Sequence, residues 1–256
     1  AWAMPTFFSD VVQDFAELTR EMNNNALAPY YGKFALQIAS PSGSQLPFLM
    51  NIIGYDSGSD HMVFSNGSVK IPMVFFNCWP DDFYHSSMDT PDKSDPTQLK
   101  RVAFIAAASA IAATSAKPED AQTFAALTAG KGRRRIAVKY EYSINLMQAA
   151  ETADLYTAYK KAAITIEQSY KNEIANLKTI LKIAEDDKNA ISSVETESAN
   201  FNTEMKASLE SLSERYKFLC RQHDVIPVKL VLTPEEEKMS KLIPIKKAKG
   251  MVAQMD

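Results

Sequence analysis

Cysteine and histidine are scarce in this sequence of 256 residues, which contains two cysteines and three histidines. Cys78 and Cys220 lie far apart in unlike contexts, so the chain is not built on a disulfide framework. Imidazole ligands for a metal are limited to His61, His85 and His223. Any metal site with more than a few ligands therefore needs carboxylates as well.

Long apolar runs and an excess of positive charge are also missing. No run of about 18 apolar residues occurs, and the richest candidate, residues 102–113, contains Ser109, so we expect no membrane span. The net charge of -3 and a pI near 5.7 argue against a nucleic-acid partner, because phosphate binding needs a concentrated positive field. Basic clusters at residues 131–135 and 241–249 are interpreted as a solvated helix end and a tail.

The first half of the chain carries signals of both strand and helix. Residues 6–22 have a helical apolar stripe, and residues 34–38 are a candidate short strand. Residues 71–78 form an unbroken apolar run between prolines, which favours a strand buried on both faces. Asp95 and Pro96 then predict the start of a helix over residues 97–114. We therefore predict an α/β domain over residues 1–116, with a mixed sheet and flanking helices.

From Lys117 onward the composition favours helices only, because alanine, lysine, glutamate and leucine dominate and proline is absent from 119 to 226. Two apolar stripes with steps of three and four predict an antiparallel hairpin of residues 160–184 and 191–221. The stripes also allow an oligomerisation coil, and a homodimer is kept as an expectation. Thr233 and Pro234 predict a last helix start. We assign residues 117–256 to an all-helical region.

A set of spaced motifs in the first half of the chain contains candidate metal-binding and catalytic residues. Gly58-Ser59-Asp60-His61 is followed by the apolar run and then by Tyr84-His85-Ser86-Ser87-Met88-Asp89-Thr90-Pro91-Asp92-Lys93. A helix with a leucine, Leu99, comes next. This order resembles the C-terminal part of the dinuclear-zinc aminopeptidase family, which also contains the glutamate carboxypeptidases.

The resemblance implies a role for each matched residue. His85 falls on the last zinc ligand, and Tyr84 on a tyrosine that donates to the tetrahedral oxyanion. Asp89 and Thr90 fall on residues that brace the ligand loop. The matched cleft-lining segment is Ser59, Asp60 and His61. The family pattern has threonine where this chain has Ser86.

The resemblance also implies two zinc ions, whose other ligands and general base lie upstream of the matched part. We therefore expect the chain to be the C-terminal portion of a zinc-dependent exopeptidase, inactive alone, with peptide substrates and the missing N-terminal half of the catalytic domain as partners. The alternative is a non-catalytic helical interaction module on a degenerate peptidase fold. Secretion is common in the resembling family, which makes an extracellular or periplasmic location the expectation.

Four residues have plainer interpretations that compete with metal or nucleophile chemistry. His61 is expected to line a cleft rather than to bind zinc. Cys220 and His223 have a metal-like spacing, yet they end an apolar stripe and fit helix-end packing better. Cys78 ends the apolar run and is expected to be an inert core thiol, because no basic neighbour or helix N-terminus would lower its pKa.

Overall fold

The computed structural model of the chain describes residues 6–25, 37–54, 58–65, 69, 71–184 and 186–242. Within these residues the regular structure is helical, and no strand is formed. The α-helices are α1 (Phe7–Asn25), α2 (His61–Ser65), α3 (Pro96–Thr114), α4 (Ala121–Gln148), α5 (Leu155–Lys178), α6 (Lys188–Gln222) and α7 (Pro234–Ser240). Short 3-10 turns occupy Pro91–Lys93, Pro118–Asp120, Thr152–Asp154 and Thr179–Lys182.

Helices α4, α5 and α6 form a three-helix bundle, called the bundle below. Tyr159 stacks on Tyr216 at 4.3 Å, and Tyr170 meets Phe201 edge-on at 6.0 Å. Because the contact partner on α6 moves back along the chain as α5 advances, the two helices are antiparallel. Short connections between successive helices impose this up-and-down arrangement.

The bundle core follows from the apolar stripes of its helices. On α4 the buried residues Ala121, Ala125 and Ala129 recur every fourth position, and their small side chains let neighbouring helices approach closely. The α5 and α6 stripes bring in larger side chains, each of which stabilises the fold by about 1.5–3 kcal/mol when fully buried. These are mainly Leu155, Tyr159, Ile166, Tyr170, Leu177, Val194, Phe201, Leu212, Tyr216 and Leu219.

Residues 7–114, called the N-terminal segment below, build a second and smaller core. Helix α1 packs on α3 and also lies against α4. Val12 and Ala16 of α1 join Phe48 and Ile105 in a buried cluster separate from the bundle core. The buried guanidinium of Arg101 donates to the carbonyl oxygens of Ile38 (3.2 Å) and Leu46 (2.8 Å). This segment is thus organised by helix packing and polar tethers.

The predicted α/β fold class is wrong for the described residues, since the mixed sheet is absent. Residues 71–78 have no regular secondary structure and form no strand, and the Ile71 and Phe76 side chains are exposed. An unbroken apolar run indicates a buried strand only when neighbouring strands cover its edges and other layers its faces. No such cover exists among the described residues. The candidate strand at residues 34–38 lies mostly outside them.

The helix predictions are confirmed. Helix α1 covers the predicted residues 6–22 apart from the first, and α3 matches the predicted residues 97–114 with Asp95 accepting a hydrogen bond from the Thr97 amide at 3.0 Å. The hairpin of α5 and α6 is present, with Phe201 and Leu212 buried in the bundle core. Ile174, Leu181 and Met205 pack against that core as predicted. The predicted domain boundary at residue 116 falls between α3 and α4 and stays a prediction.

Two expectations about side-chain environment are wrong. Cys78 is exposed, because the run that it ends is not inside a sheet, while Cys220 is buried in the bundle as expected. The basic cluster at residues 131–135 is not a solvated helix end. It lies in the middle of α4, and its charged side chains pair with three other helices. The predicted tail at residues 243–249 lies outside the described residues.

After α6 the chain runs extended to Thr233, whose hydroxyl caps α7 by accepting from the Glu236 amide at 3.2 Å, as the sequence predicts. Lys160 of α5 holds Glu236 at 2.5 Å. Across the described ranges no single helix is long and apolar enough to cross a membrane, and one bent pair, Pro96–Thr114 with Pro118–Gln148, meets that test by length and composition only.

Candidate functional site

Tyr84 and His85 lie in an exposed loop between the apolar run and α3. Successive turns shape the loop. The Tyr84 amide donates to the Asp81 carbonyl oxygen at 3.3 Å, and the Ser86 amide donates to the Phe83 carbonyl oxygen at 3.0 Å. The Ser86 hydroxyl donates to that same oxygen at 2.7 Å. The loop therefore holds its shape through its own backbone and short polar side chains.

The two aromatic rings of the loop are held together at the surface. The Tyr84 and His85 rings stack at 3.8 Å with an angle of 18° between them, and Trp79 meets Tyr84 edge-on at 5.5 Å. His85 has a backbone φ of 57°, a left-handed conformation that is uncommon outside glycine and is enriched at functional sites. The arrangement presents an imidazole and a phenol side by side to solvent.

Asp89 and Thr90 hold the turn that follows His85. The Asp89 amide donates to the Ser86 carbonyl oxygen at 3.3 Å, and the Thr90 hydroxyl donates to the Met88 carbonyl oxygen at 3.2 Å and to the Asp92 carboxylate. Lys93 and then Thr90 lower the pKa of Asp92 by hydrogen bonding its carboxylate. These contacts stabilise the turn itself, and the predicted roles of Asp89 and Thr90 toward a metal ligand stay predictions.

The end of the loop is fixed to α3 by Asp95. The Asp95 carboxylate accepts from the Ser44 hydroxyl at 2.5 Å and from the Ser44 amide at 2.9 Å, and these bonds lower its pKa. Gly43 is required beside it, because a Cβ there would lie 2.3 Å from the Thr97 hydroxyl oxygen and 2.5 Å from its amide. The N-terminus of α3 thus ties residues 40–44 to the base of the His85 loop.

The predicted cleft residues divide between surface and interior. Ser59 and Asp60 are exposed, and their carbonyl oxygens accept from the amides of Met62 and Val63 at 3.0 Å each to begin α2. His61 is buried, and its ring stacks on Phe75 at 4.7 Å with an angle of 7°. His61 therefore packs against the apolar run. The preceding Ser57 lies outside the described residues.

Metal-binding side chains are dispersed. Groups of three or more histidine, cysteine, aspartate or glutamate side chains able to hold an ion are absent from the part of the chain that the structure describes. His223 bonds the Thr152 hydroxyl at 2.8 Å at the far end of the bundle. A catalytic zinc needs at least three protein ligands. The described residues therefore supply single ligands and do not by themselves fit zinc.

A buried ionic cluster, missed by the sequence reasoning, joins α1, α4 and α5. Arg135 donates to Asp10 at 2.5 Å and to both oxygens of Glu173 at 2.7 and 2.6 Å. Asn176 donates to Asp10 at 2.8 Å. Burial raises the pKa of the Asp10 carboxyl despite the opposing effect of Arg135. A charged residue on an apolar stripe, such as Glu173 between Tyr170 and Leu177, was the available signal.

A neighbouring set of charges joins α4 to α6. Arg133 donates to Glu204 at 2.8 Å and to Glu197 at 3.0 Å, and its guanidinium lies over the Phe201 ring at 5.0 Å. These bonds raise its pKa, with Glu204 the larger cause. Beside it, an open groove of about 610 Å³ is lined by hydroxyls that bond one another, Tyr140 to Ser211 at 2.7 Å and Tyr170 with Ser208 at 3.0 Å. These contacts position the helices.

Comparison with known proteins identifies one segment. Residues 9–110 match the family described as Peptidase family M28, which confirms the resemblance of this part of the chain to the zinc aminopeptidase and glutamate carboxypeptidase type of metallopeptidase. The matched range includes the Tyr84-His85 loop and ends within α3. No curated protein and no solved structure matches the chain.

Proposed function

We propose that the chain contributes part of the active site of a zinc-dependent exopeptidase of the aminopeptidase type, in which His85 is one zinc ligand and Tyr84 donates to the oxyanion. The observation that supports it is the match of residues 9–110 to a peptidase family, since that range contains the exposed loop with Tyr84 and His85 side by side. With the remaining ligands present, His85 would help to hold zinc, which would supply the Lewis acid for peptide-bond hydrolysis.

The choice of His85 follows from the surroundings of the three histidines. The His61 ring is buried against Phe75, and His223 bonds Thr152 at the end of the bundle, whereas the His85 ring is on the surface of the loop. A phenol beside a metal ligand can donate to a developing oxyanion, and the stacking of the Tyr84 ring on that of His85 supports this role for Tyr84. Because one imidazole cannot hold catalytic zinc, the other ligands in this proposal come from polypeptide outside the described residues.

An exposed apolar surface supports a protein partner for the same segment. Leu49 is 85% exposed and Trp79 is 66% exposed, and Leu99 and Ile111 of α3 also face solvent. A contiguous group of exposed large apolar side chains marks a surface for another polypeptide, and in this proposal these four side chains belong to such a surface. The occupant in this proposal is the remainder of the catalytic domain, which would bring the missing ligands next to His85.

A second candidate function is a non-catalytic helical module on a degenerate peptidase fold. It is supported by the bundle, which has its own core and makes no use of the Tyr84-His85 loop. In that case the residues around His85 would keep their loop shape without a complete ligand set. The two candidate functions predict different results when the His85 imidazole is removed. Zinc and activity are lost if His85 is a ligand, and neither changes if the module is non-catalytic.

The test compares His85→Ala with the matched control His223→Ala, in the chain alone and in a longer polypeptide that supplies the remaining ligands. Zinc is measured by atomic emission after dialysis, and activity by release of a chromophore from an aminoacyl anilide. We expect the chain alone to retain little zinc and to show no turnover. In the longer polypeptide His85→Ala loses zinc and activity, since a ligand is removed, while His223→Ala keeps both.

Tyr84→Phe separates the oxyanion role from ligation. Loss of the hydroxyl should leave the zinc content unchanged and lower kcat by about 10²-fold, with a smaller rise in KM, because the donor acts mainly in the transition state. Stoichiometric zinc with turnover in the chain alone would show that the site is complete here and overturn the shared-site proposal. Full activity of His85→Ala in the longer polypeptide would overturn the ligand assignment and leave the non-catalytic module.

A further inference from the structure

The contact between α1 and the bundle is lined by opposite charges. Residues on α1 at spacings of four and three share one helix face, here called the acidic row: Asp10, Asp14 and Glu17. The facing residues of α4, called the basic row, are Lys131, Arg134 and Arg135. The Lys131 ammonium lies 3.2 Å from Asp14 and contacts Glu17, and Arg134 lies 3.2 Å from Glu17.

The apolar part of the contact is made by three side chains of α1, namely Phe7, Val11 and the partly buried Phe15. Phe7 and Val11 join the bundle core, and the Phe7 ring lies 5.4 Å from that of Phe124. The other face of α1 belongs to the second core through Val12 and Ala16. Helix α1 is therefore shared by two cores, and it is held against the bundle by the three apolar side chains together with the two charged rows.

When α1 separates from the bundle, the charged side chains on each side of the contact either keep a partner or return to water. Arg135 is held by both oxygens of Glu173, which lies on α5 inside the bundle, so loss of Asp10 does not strand its charge. Asp10 is fully buried while docked, and release returns its carboxylate to water. Glu17 and Arg134 are already partly exposed. The usual penalty for breaking a buried ion pair is thus reduced on each side.

We propose that the acidic and basic rows form a releasable latch, so that α1 can leave the bundle together with the N-terminal segment on which it packs while α4, α5 and α6 stay folded. The latch does not depend on the proposed peptidase function. It is a conformational device that determines whether the segment containing the His85 loop is docked on the bundle. Screening by salt weakens its exposed pairs, and reversal of one charge opens it.

The test is hydrogen–deuterium exchange on the full chain with Glu17→Lys, which places like charges against Lys131 and Arg134. We expect exchange of α1 amides to rise roughly tenfold or more, with a change of at most about twofold in α5 and α6, because the bundle keeps its core. The control is Glu167→Lys, which removes a surface pair of α5 with Lys171 away from α1. Its α1 exchange should match the unmodified chain.

A compensating variant makes the test specific to charge. Adding Arg134→Glu to Glu17→Lys restores an attractive pair at the exposed end of the contact, and α1 protection should recover in part. If circular dichroism shows that Glu17→Lys unfolds the whole chain, Glu17→Gln is measured instead at roughly 1 M salt. In that variant the exchange of α1 amides should still rise more than that of α5 and α6 amides, but by a smaller factor. Equal loss of protection in α1 and the bundle overturns the latch, and so does unchanged α1 exchange in both Glu17 variants.

Discussion

The bundle and the N-terminal segment differ in what covers their large apolar side chains. Ile166, Phe201 and Leu212 in the bundle are fully buried, whereas Leu49 and Trp79 in the N-terminal segment are mostly exposed. The bundle core is formed mainly by α4, α5 and α6, with Phe7 and Val11 of α1 added to it, while the smaller core of the N-terminal segment is formed by α1, α3 and Phe48. We therefore expect the bundle to be the main unit of stability, and the exposed side chains of the N-terminal segment to form the surface that the proposed partner would cover.

The strongest test of this difference is truncation of one apolar side chain in each region. Phe201→Ala should lower the free energy of unfolding by about 3–5 kcal/mol, because it leaves a cavity between Tyr170 and the Arg133 guanidinium. Leu49→Ala, at a side chain that is 85% exposed, should change it by at most about 0.5 kcal/mol. Urea denaturation measures both. Equal losses would show that the two regions share one core.

A smaller effect is expected at two glycines two residues apart on α4. A Cβ at Gly132 would lie 2.9 Å from a Glu173 carboxylate oxygen and 3.1 Å from the Phe201 ring, and Glu173 cannot move freely because Arg135 holds both its oxygens. Gly132→Ala should therefore destabilise the chain by about 1–3 kcal/mol. Thermal unfolding of the Gly132→Ala variant, together with its hydrogen–deuterium exchange, checks this value.

Gly130 is the matched control for that substitution. Nothing lies within 4 Å of a Cβ there, so Gly130→Ala should gain helix propensity and stabilise the chain by about 0.5–1 kcal/mol. Opposite signs at the two glycines would show that tight packing around Glu173 is specific to the bundle interior. A gain at both positions would mean that the ionic cluster adapts without cost.

The sequence was sufficient for the parts of the fold that local signals determine. Asp95 with Pro96 marked the start of α3, and the stripes through Tyr170 and Leu212 marked the hairpin. Helix α4 was not singled out as the third helix of the bundle, because its buried face consists mostly of small residues, alanine, glycine, serine and threonine, that produce no strong stripe. The absent sheet could not be foreseen, because a run such as residues 71–78 has the same composition whether or not other strands pair with it.

The candidate functional residues likewise include some that the sequence could predict and some that it could not. The loop motif with Tyr84 and His85 was readable as a spaced pattern, and the family match covers it. The ionic cluster was not readable, because its members Asp10, Arg135 and Glu173 are brought together only by the packing of three helices. The alignment of the two charged rows depends on how α1 lies on α4, and sequence spacing within one helix cannot supply that.

The smallest expected effect concerns α7, the helix tied to the bundle by one exposed ion pair. The Lys160 ammonium and the hydrogen bonds from Thr233 lower the pKa of Glu236 from 4.5 to about 2. Because the folded-state value is depressed, this pair stabilises docked α7 above pH 4.5, and the stabilisation is lost as pH falls toward about 2. Lys160→Ala should return the Glu236 pKa part of the way to 4.5, since the Thr233 bonds remain, as followed by NMR titration of its carboxyl carbon. Lys171→Ala, which removes a pair elsewhere on α5, should leave that pKa unchanged. An unchanged Glu236 titration in Lys160→Ala would mean that the Thr233 bonds alone set the value.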